Sequence, residues 1–371
     1  MAARMKILMT ADAVGGVWSY ALELARALAP SGVEIVLATM GPLPGDAQCE
    51  EAARCRNVRL ETSGFRLEWM PSPWADLERA GEWLLALEQR EQPDLVHLNG
   101  YVHAALPWQA PLCVVAHSCS CSWWRAVKHE RAPDSWDRYR SAVRDGLDAA
   151  TIVIAPTRAM LDALTTEYGE LRNARVIYNG RYASRYPALE KERLVLSAGR
   201  MWDEAKNVSA LECVAPSIEW PVYVAGETSM PGLGSIEPTS CCSLGALEHE
   251  ALARWMGRAS IYALPARYEP FGLTALEAAL AGCALVLGNI PSLRELWRDA
   301  ALFVDPDDHE QLAHTLQRLI ADGELRRTIA RRCRTRAFAF DSREMASGYM
   351  HAYESALTAA GAWREEKRCA S

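Results

Sequence analysis

Residues 6–38 read KILMTADAVGGVWSYALELARALAPSGVEIVLA. Lys6 to Thr10 is a short apolar run of strand type, and it ends in the turn-forming Ala11-Asp12-Ala13-Val14-Gly15-Gly16. From Trp18 to Leu28 the apolar residues fall at helical spacing, and Pro30-Ser31-Gly32 stops the helix. Val33 to Ala38 is a second apolar run. Strand, glycine turn, helix and strand in this order form a βαβ unit of parallel type.

The alternation continues outward from this unit. Strands are expected at Val58 to Leu60, Leu95 to Leu98, Cys113 to Ala116, Ile152 to Ala155 and Val176 to Tyr178, with helices at Asp76 to Glu91, Asp134 to Ala149 and Thr157 to Tyr168. The stretch from Asn179 to Arg193 is polar and lacks a period, as an interdomain linker would. A second series follows, with strands at Leu194 to Ala198, Val222 to Ala225, Ile261 to Leu264, Ala284 to Leu287 and Leu302 to Val304. Its helices are expected at Glu248 to Met256, Thr274 to Ala281 and His309 to Asp322. Past Asp341 an amphipathic helix runs to about Ala360, and the charged tail Arg364 to Arg368 is expected to fray. The chain thus reads as α/β, with two Rossmann-like domains at 1–180 and 190–344. Open parallel sheets bind ligands at the C-terminal ends of their strands, which places the expected site in a cleft between the domains.

Composition narrows the function. A chain of 371 residues, half of them hydrophobic, suits two globular domains. The net charge of −7 argues against nucleic acid as a partner, and membrane association finds no support in it. Ile7 to Met9 is too short an apolar run for a signal-peptide core, and no later stretch reaches the length of a spanning helix, so a cytoplasmic protein is expected. The 11 cysteines are an odd number scattered through apolar segments, as reduced, buried thiols are. His117-x-Cys119-x-Cys121 and Cys241-Cys242 lack the paired spacing of a zinc site, and no metal is expected.

The richest motif is YALPARYEPFGLTALE, residues 262–277. A buried strand ends near Pro265, a loop carries Glu269, and a helix from about Thr274 carries Glu277. Phe271, Gly272 and Leu273 present backbone N–H groups at the helix N-terminus, a cradle for an anionic or hydroxyl-rich ligand. A second motif, Ser197-Ala198-Gly199-Arg200 followed by Lys206-Asn207, brings two cations to a strand end, where they suit a leaving diphosphate. Gly15-Gly16 is not the glycine fingerprint of a dinucleotide binder, which counts against a nicotinamide-dependent oxidoreductase. His117 ends the Cys113 to Ala116 strand. Trp123 and Trp124 suit either stacking on a sugar or lipid acceptor or core packing.

Residues 262–277, with the continuation EAALAGCALVL from Glu277, resemble the E-x7-E signature of the retaining GT-B glycosyltransferases of family 4 (glycosyl transferases group 1). Weaker matches reach most of the chain: Asp94 to His97, Tyr178-Asn179-Gly180, Leu244-Gly245 with Glu248, Pro291 to Glu295 and Phe303 to Pro306. The resemblance implies a sugar transferred from a nucleotide-diphosphate donor, UDP favoured, to the hydroxyl of a sugar, lipid-linked glycan or small molecule, with neither metal nor cofactor. It implies that Glu269 faces the donor sugar, Glu277 the ribose, and Arg200 and Lys206 the phosphates. By the same resemblance Gly15 and Gly16, with Asp12 nearby, close on the donor phosphate and border the acceptor, Leu244 lies in a loop near the base, and His117 faces the reacting sugar; His97 lies inside a strand and reads as structural. The C-terminal helix, about 345–371, is implied to join the first domain. Three departures stand out. The loop before Lys206 is one residue longer than usual, Asn207 replaces a glycine, and Arg181-Tyr182 replaces an apolar–acid pair. A catalytically silent subunit that binds a nucleotide sugar or a partner protein is the alternative reading. Alanine at Glu277 or Arg200 is expected to abolish turnover and leave the fold intact.

Overall fold

The computed structural model describes residues 5–230, 234–235 and 237–369; Met1 to Arg4 lie outside them. The chain folds into two compact units. The first runs to Arg125, resumes over Glu130–Gly180 and takes in the chain from Ser342 onward; the second comprises Ala126–His129 and Arg181–Asp341.

Seven strands build the first unit's sheet: β1 (Met5–Asp12), β2 (Val33–Met40), β3 (Val58–Thr62), β4 (Leu95–Leu98), β5 (Leu112–Val115), β6 (Ile152–Ala155) and β7 (Ala174–Val176). Their order is β3-β2-β1-β4-β5-β6-β7, every pairing parallel. The apolar runs become central strands because both faces are covered: Ile7, Leu8 and Met9 are fully buried, as are Val96, Val114 and Ile154. The first helix, Gly16–Leu28, is buried around most of its circumference, with Trp18, Tyr20, Leu22 and Leu24 all covered. The C-terminal helix Ser342–Cys369 belongs to this unit, and Ser342 Oγ donates to the buried Glu23 of the first helix (2.6 Å). Its backbone stays helical through the charged tail expected to fray.

The second unit repeats the scheme. Its strands are β8 (Glu192–Ala198), β9 (Val222–Ala225), β10 (Ser229–Met230), β11 (Gly234–Ser235), β12 (Cys242–Gly245), β13 (Ala259–Leu264), β14 (Ala284–Gly288) and β15 (Leu302–Val304). β10 and β11 form a small antiparallel ribbon, and the main sheet runs β12-β9-β8-β13-β14-β15, all parallel. Each sheet grows outward in both directions from its first strand, so its order reverses beside that strand. Such switch points open crevices at the strands' C-terminal ends.

The structure corrects several expectations. The supposed linker is built into the second unit: Tyr186 is 1% exposed and donates to or accepts from His249 Nε2 at 2.8 Å, and Arg181 is 2% exposed. Strand β7 lies two residues earlier than expected, and Tyr178 is exposed beyond it. Leu244-Gly245 is not a loop but the end of edge strand β12. The helix Gly323–Ala337 lies outside the expected series, although its buried positions Ile329, Cys333 and Ala337 follow helical spacing. No helix among the described residues is long and apolar enough to cross a membrane.

Candidate active site

At the C-terminal ends of β8, β9 and β12, backbone packs on backbone. A Cβ on Gly226, which has φ +147°, would sit 1.8 Å from the carbonyl oxygen of Gly199, so only glycine fits. Gly226 N–H donates to the Gly245 carbonyl (2.8 Å) and Gly199 N–H to that of Ala225 (2.9 Å), which ties the three strand ends together. This floor carries the Gly199-Arg200 step. The Lys206 side chain lies along it, with Cγ 3.3 Å from where a Gly199 Cβ would be.

Lys206 and Glu269 meet. Nζ lies 2.5 Å from Oε2, and both side chains are mostly buried, at 17% and 12% exposure. The other carboxylate oxygen of Glu269, Oε1, accepts the Gly272 N–H at 3.0 Å, and Ser292 Oγ fixes the Glu269 backbone carbonyl at 2.5 Å. The cradle expected at Gly272 is thus already engaged by Glu269 itself. Gly272 caps the helix Leu273–Leu280 in the left-handed region, and Phe271 turns inward to meet Phe340 edge-on at 5.8 Å. Tyr262, its phenol kept protonated by burial, joins the ends of two elements: its hydroxyl donates to the Ala198 carbonyl (3.2 Å) and pairs with Thr274 Oγ1 (2.7 Å). Arg200 is the most open of the group at 36% exposure, held by Asp203 (2.8 Å) and lying over Trp202 (5.1 Å). Leu244 is half-buried against the unit's core.

Glu277, on the helix Leu273–Leu280, is buried. It is 3% exposed, and Oε1 accepts from Arg181 Nε at 2.7 Å. Both charges are buried in the second unit, where a guanidinium retains its proton and so demands a carboxylate close by. Nothing in residues 179–193 signals this contact, because the partners stand 96 positions apart and Arg181 lies in no periodic segment.

In the first unit, Gly15 is the N-cap of the first helix, at φ 101° and ψ −129°, which side chains other than glycine's avoid. Gly16 follows as its first residue, and Asp12 Oδ1 closes the turn by accepting the Val14 N–H (2.8 Å). His117 stands past the end of β5, half-buried, its Nε2 2.8 Å from Asn99 Oδ1 and its ring edge-on to Tyr20 at 4.4 Å. His97 is fully buried. Asp94 lies at the opposite end of the sheet, where its carboxylate accepts the Lys6 N–H (2.8 Å). Trp123 and Trp124 are half-buried and meet edge-on at 5.9 Å. Cys119 pairs with the Tyr168 hydroxyl (3.1 Å), turned to a different partner from His117, and Cys241 is buried while Cys242 is exposed.

Two sequence families meet in this chain. Residues 14–185 match Glycosyltransferase Family 4, and residues 184–336 match Glycosyl transferases group 1. The chain belongs to the family 4 glycosyltransferases. This glycosyltransferase is 27% identical to the glycogen synthase of Mycobacterium tuberculosis, across 92% of this chain and 91% of that one. It is 27% identical to the D-inositol 3-phosphate glycosyltransferase of Salinispora arenicola, across 95% and 89%. Among solved structures, sucrose-phosphate synthase from Thermosynechococcus elongatus superimposes with a TM-score of 0.76 at 20% identity, covering 99% of this chain and 100% of that chain. Anabaena HepE, solved with UDP and glucose, gives 0.73 at 17% identity, covering 95% and 100%. The fold is GT-B, and the enzyme is a transferase that draws on nucleotide-sugar donors.

The glycosyltransferase's departure at Asn207 has a physical reason. Asn207 adopts φ 55° and ψ 42°, a left-handed conformation that glycine enters freely and asparagine tolerates best among the others. Its side chain then does what glycine cannot. Nδ2 donates to the carbonyls of Pro265 and Pro306 (both 2.8 Å), and Oδ1 accepts from Arg267 (2.6 Å), stapling the loops after β8, β13 and β15. Asn207→Ala is expected to lower stability by about 2 kcal/mol, through backbone strain and lost hydrogen bonds, and Asn207→Gly by roughly half as much. Thermal unfolding of the two variants checks the order.

Proposed function

We propose that the enzyme moves a sugar from UDP to an acceptor hydroxyl with retention at the anomeric carbon, and that it does so without a metal. The observation that carries this reading is the Lys206–Glu269 pair at the start of the helix that bears Glu277: a cation suited to phosphate and a carboxylate suited to sugar hydroxyls, 2.5 Å apart. In the bound state Glu269 takes the sugar, Glu277 Oε2 meets the ribose while Oε1 stays with Arg181, and Arg200 and Lys206 face the diphosphate. The bond from the anomeric carbon to the phosphate oxygen breaks, and its electron pair leaves with UDP. The acceptor oxygen attacks the same face and gives its proton to the departing phosphate. Charge grows on that phosphate in the transition state, where fixed cations lower the barrier most. Because Arg200 and Lys206 supply this charge, turnover is expected to persist in EDTA. His117 is assigned as a further contact to the sugar.

UDP is favoured because HepE, similar in fold, was solved with it. A thermal-shift screen of UDP, GDP, ADP and their sugars tests the choice. UDP and a UDP-sugar are expected to raise the unfolding temperature, by the equivalent of about 2.7 kcal/mol at a hundredfold excess over Kd. A response to GDP or ADP compounds alone would overturn the choice of base.

A further inference from the structure

A chain of hydrogen bonds in the first unit, buried at His97 and half-buried at Asn99, ends on His117. Asn99 follows β4 and is anchored to β1 twice: its backbone N–H donates to Thr10 Oγ1 (2.9 Å), and its side-chain Nδ2 donates to the Thr10 carbonyl (2.6 Å). That anchoring fixes the amide's orientation, since the flipped form would set oxygen against oxygen at 2.6 Å. Oδ1 is therefore the atom that faces His97 Nε2 (3.0 Å) and His117 Nε2 (2.8 Å). An amide oxygen only accepts, so both rings carry their proton on Nε2. The Nδ1 of His97 is met by the Tyr353 hydroxyl at 2.7 Å, which donates to it from the C-terminal helix.

Both imidazoles are neutral. Burial holds His97 down to about 4 and His117 to about 3, where the neighbouring His97 adds to the effect. The titratable groups around them, Tyr20, Tyr349, Tyr353 and Cys113, are themselves kept protonated by burial. A neutral ring with Nε2–H has a bare lone pair on Nδ1.

We propose that Asn99 is the positioning residue that locks His117 in its Nε2–H form, so that His117 offers Nδ1 as an acceptor to a sugar hydroxyl. The inference rests on the reading of His117 as a ligand contact. It adds a polarity to that contact: His117 reads a neutral hydroxyl donor, not a phosphate oxygen, and Asn99, His97 and Tyr353 set it from behind.

Long-range nitrogen–proton NMR of the full-length enzyme labelled with ¹⁵N-histidine reads the tautomers directly. His117 is expected as neutral Nε2–H at pH 7 and still neutral at pH 5. Asn99→Asp keeps the side-chain shape but places a carboxylate against both rings, which favours their charged forms. Its kcat/KM for UDP-glucose, read as UDP release, is expected to fall roughly tenfold between pH 8 and pH 6 beyond any wild-type change, the loss of one good hydrogen bond. In the His117→Gln background the same substitution should add no such pH dependence. An Nδ1–H or charged His117 in the wild type would overturn the proposal, and that measurement stands even if Asn99→Asp does not fold. A pH effect of Asn99→Asp that persists in His117→Gln would also overturn it. Full activity of His117→Gln with the wild-type tautomer as expected would instead remove the reading of His117 as a ligand contact.

Discussion

Alanine at Glu277 is expected to cost the enzyme both turnover and stability, the second by about 3–5 kcal/mol. Glu277 lies 2.7 Å from the Arg181 guanidinium, and the two side chains are 5% and 1% exposed. Removing the carboxylate takes away a charge beside which a buried cation was accommodated, and an arginine cannot shed its proton in response. A lost catalytic rate in Glu277→Ala would therefore mix the loss of the proposed ribose ligand with a weakened fold. This amends the simpler expectation that the variant stays intact. Glu277→Gln separates the two effects. It keeps an acceptor for Arg181 Nε and nearly the same volume, so its unfolding temperature should lie between those of the wild type and the alanine variant. Its affinity for UDP should still fall at least roughly tenfold, because a charge-assisted hydrogen bond to the ribose becomes a neutral one. Calorimetric titration with UDP, together with thermal unfolding, measures both. Wild-type stability in Glu277→Ala would show that the buried pair carries no such weight.

Arg200→Ala is expected to lower kcat by roughly 10²–10³ while leaving the unfolding temperature close to that of the wild type. The stability half follows from exposure. Arg200 is 36% exposed, and its pairing with Asp203 is of the local, half-solvated kind that contributes little to folding. The kinetic half follows from charge. A leaving diphosphate gains negative charge as the sugar bond breaks, and a cation at the end of β8 stabilises that state more than the ground state. Arg200→Lys should recover only part of the rate, since a point charge lacks the planar fork that holds two phosphate oxygens. Steady-state kinetics in donor and acceptor check this: kcat should move more than the donor KM.

Much of this molecule is legible in its residues, for reasons that differ from element to element. The strands are apolar runs because both faces of a parallel sheet are covered; β1, β4, β6, β8 and β14 therefore stand out in the sequence. Edge strand β12 does not, because Cys242 and Ser243 are exposed and leave no apolar run to read. The arginine-rich helix Gly323–Ala337 buries one narrow stripe, and its charge hides that stripe. In the site, Glu269 and Glu277 were marked by their spacing and by the glycine between them. Their partners were not equally visible. Asn207 could be read from its place where relatives carry glycine, since asparagine shares glycine's tolerance of positive φ. Arg181 showed only as a departure from the usual pair at that position. Asn99 carried no signal, because its role comes from three strand ends that meet only in the folded sheet.

The central claim is retaining transfer from a UDP-sugar at the strand ends of the second unit. The most direct test is the anomeric configuration of the product, read by proton NMR during turnover of an α-linked UDP-sugar by the wild type. The account predicts an α-linked product formed in step with UDP, both absent with Arg200→Ala on the same timescale. A β-linked product, or transfer at the wild-type rate by Arg200→Ala, would contradict it.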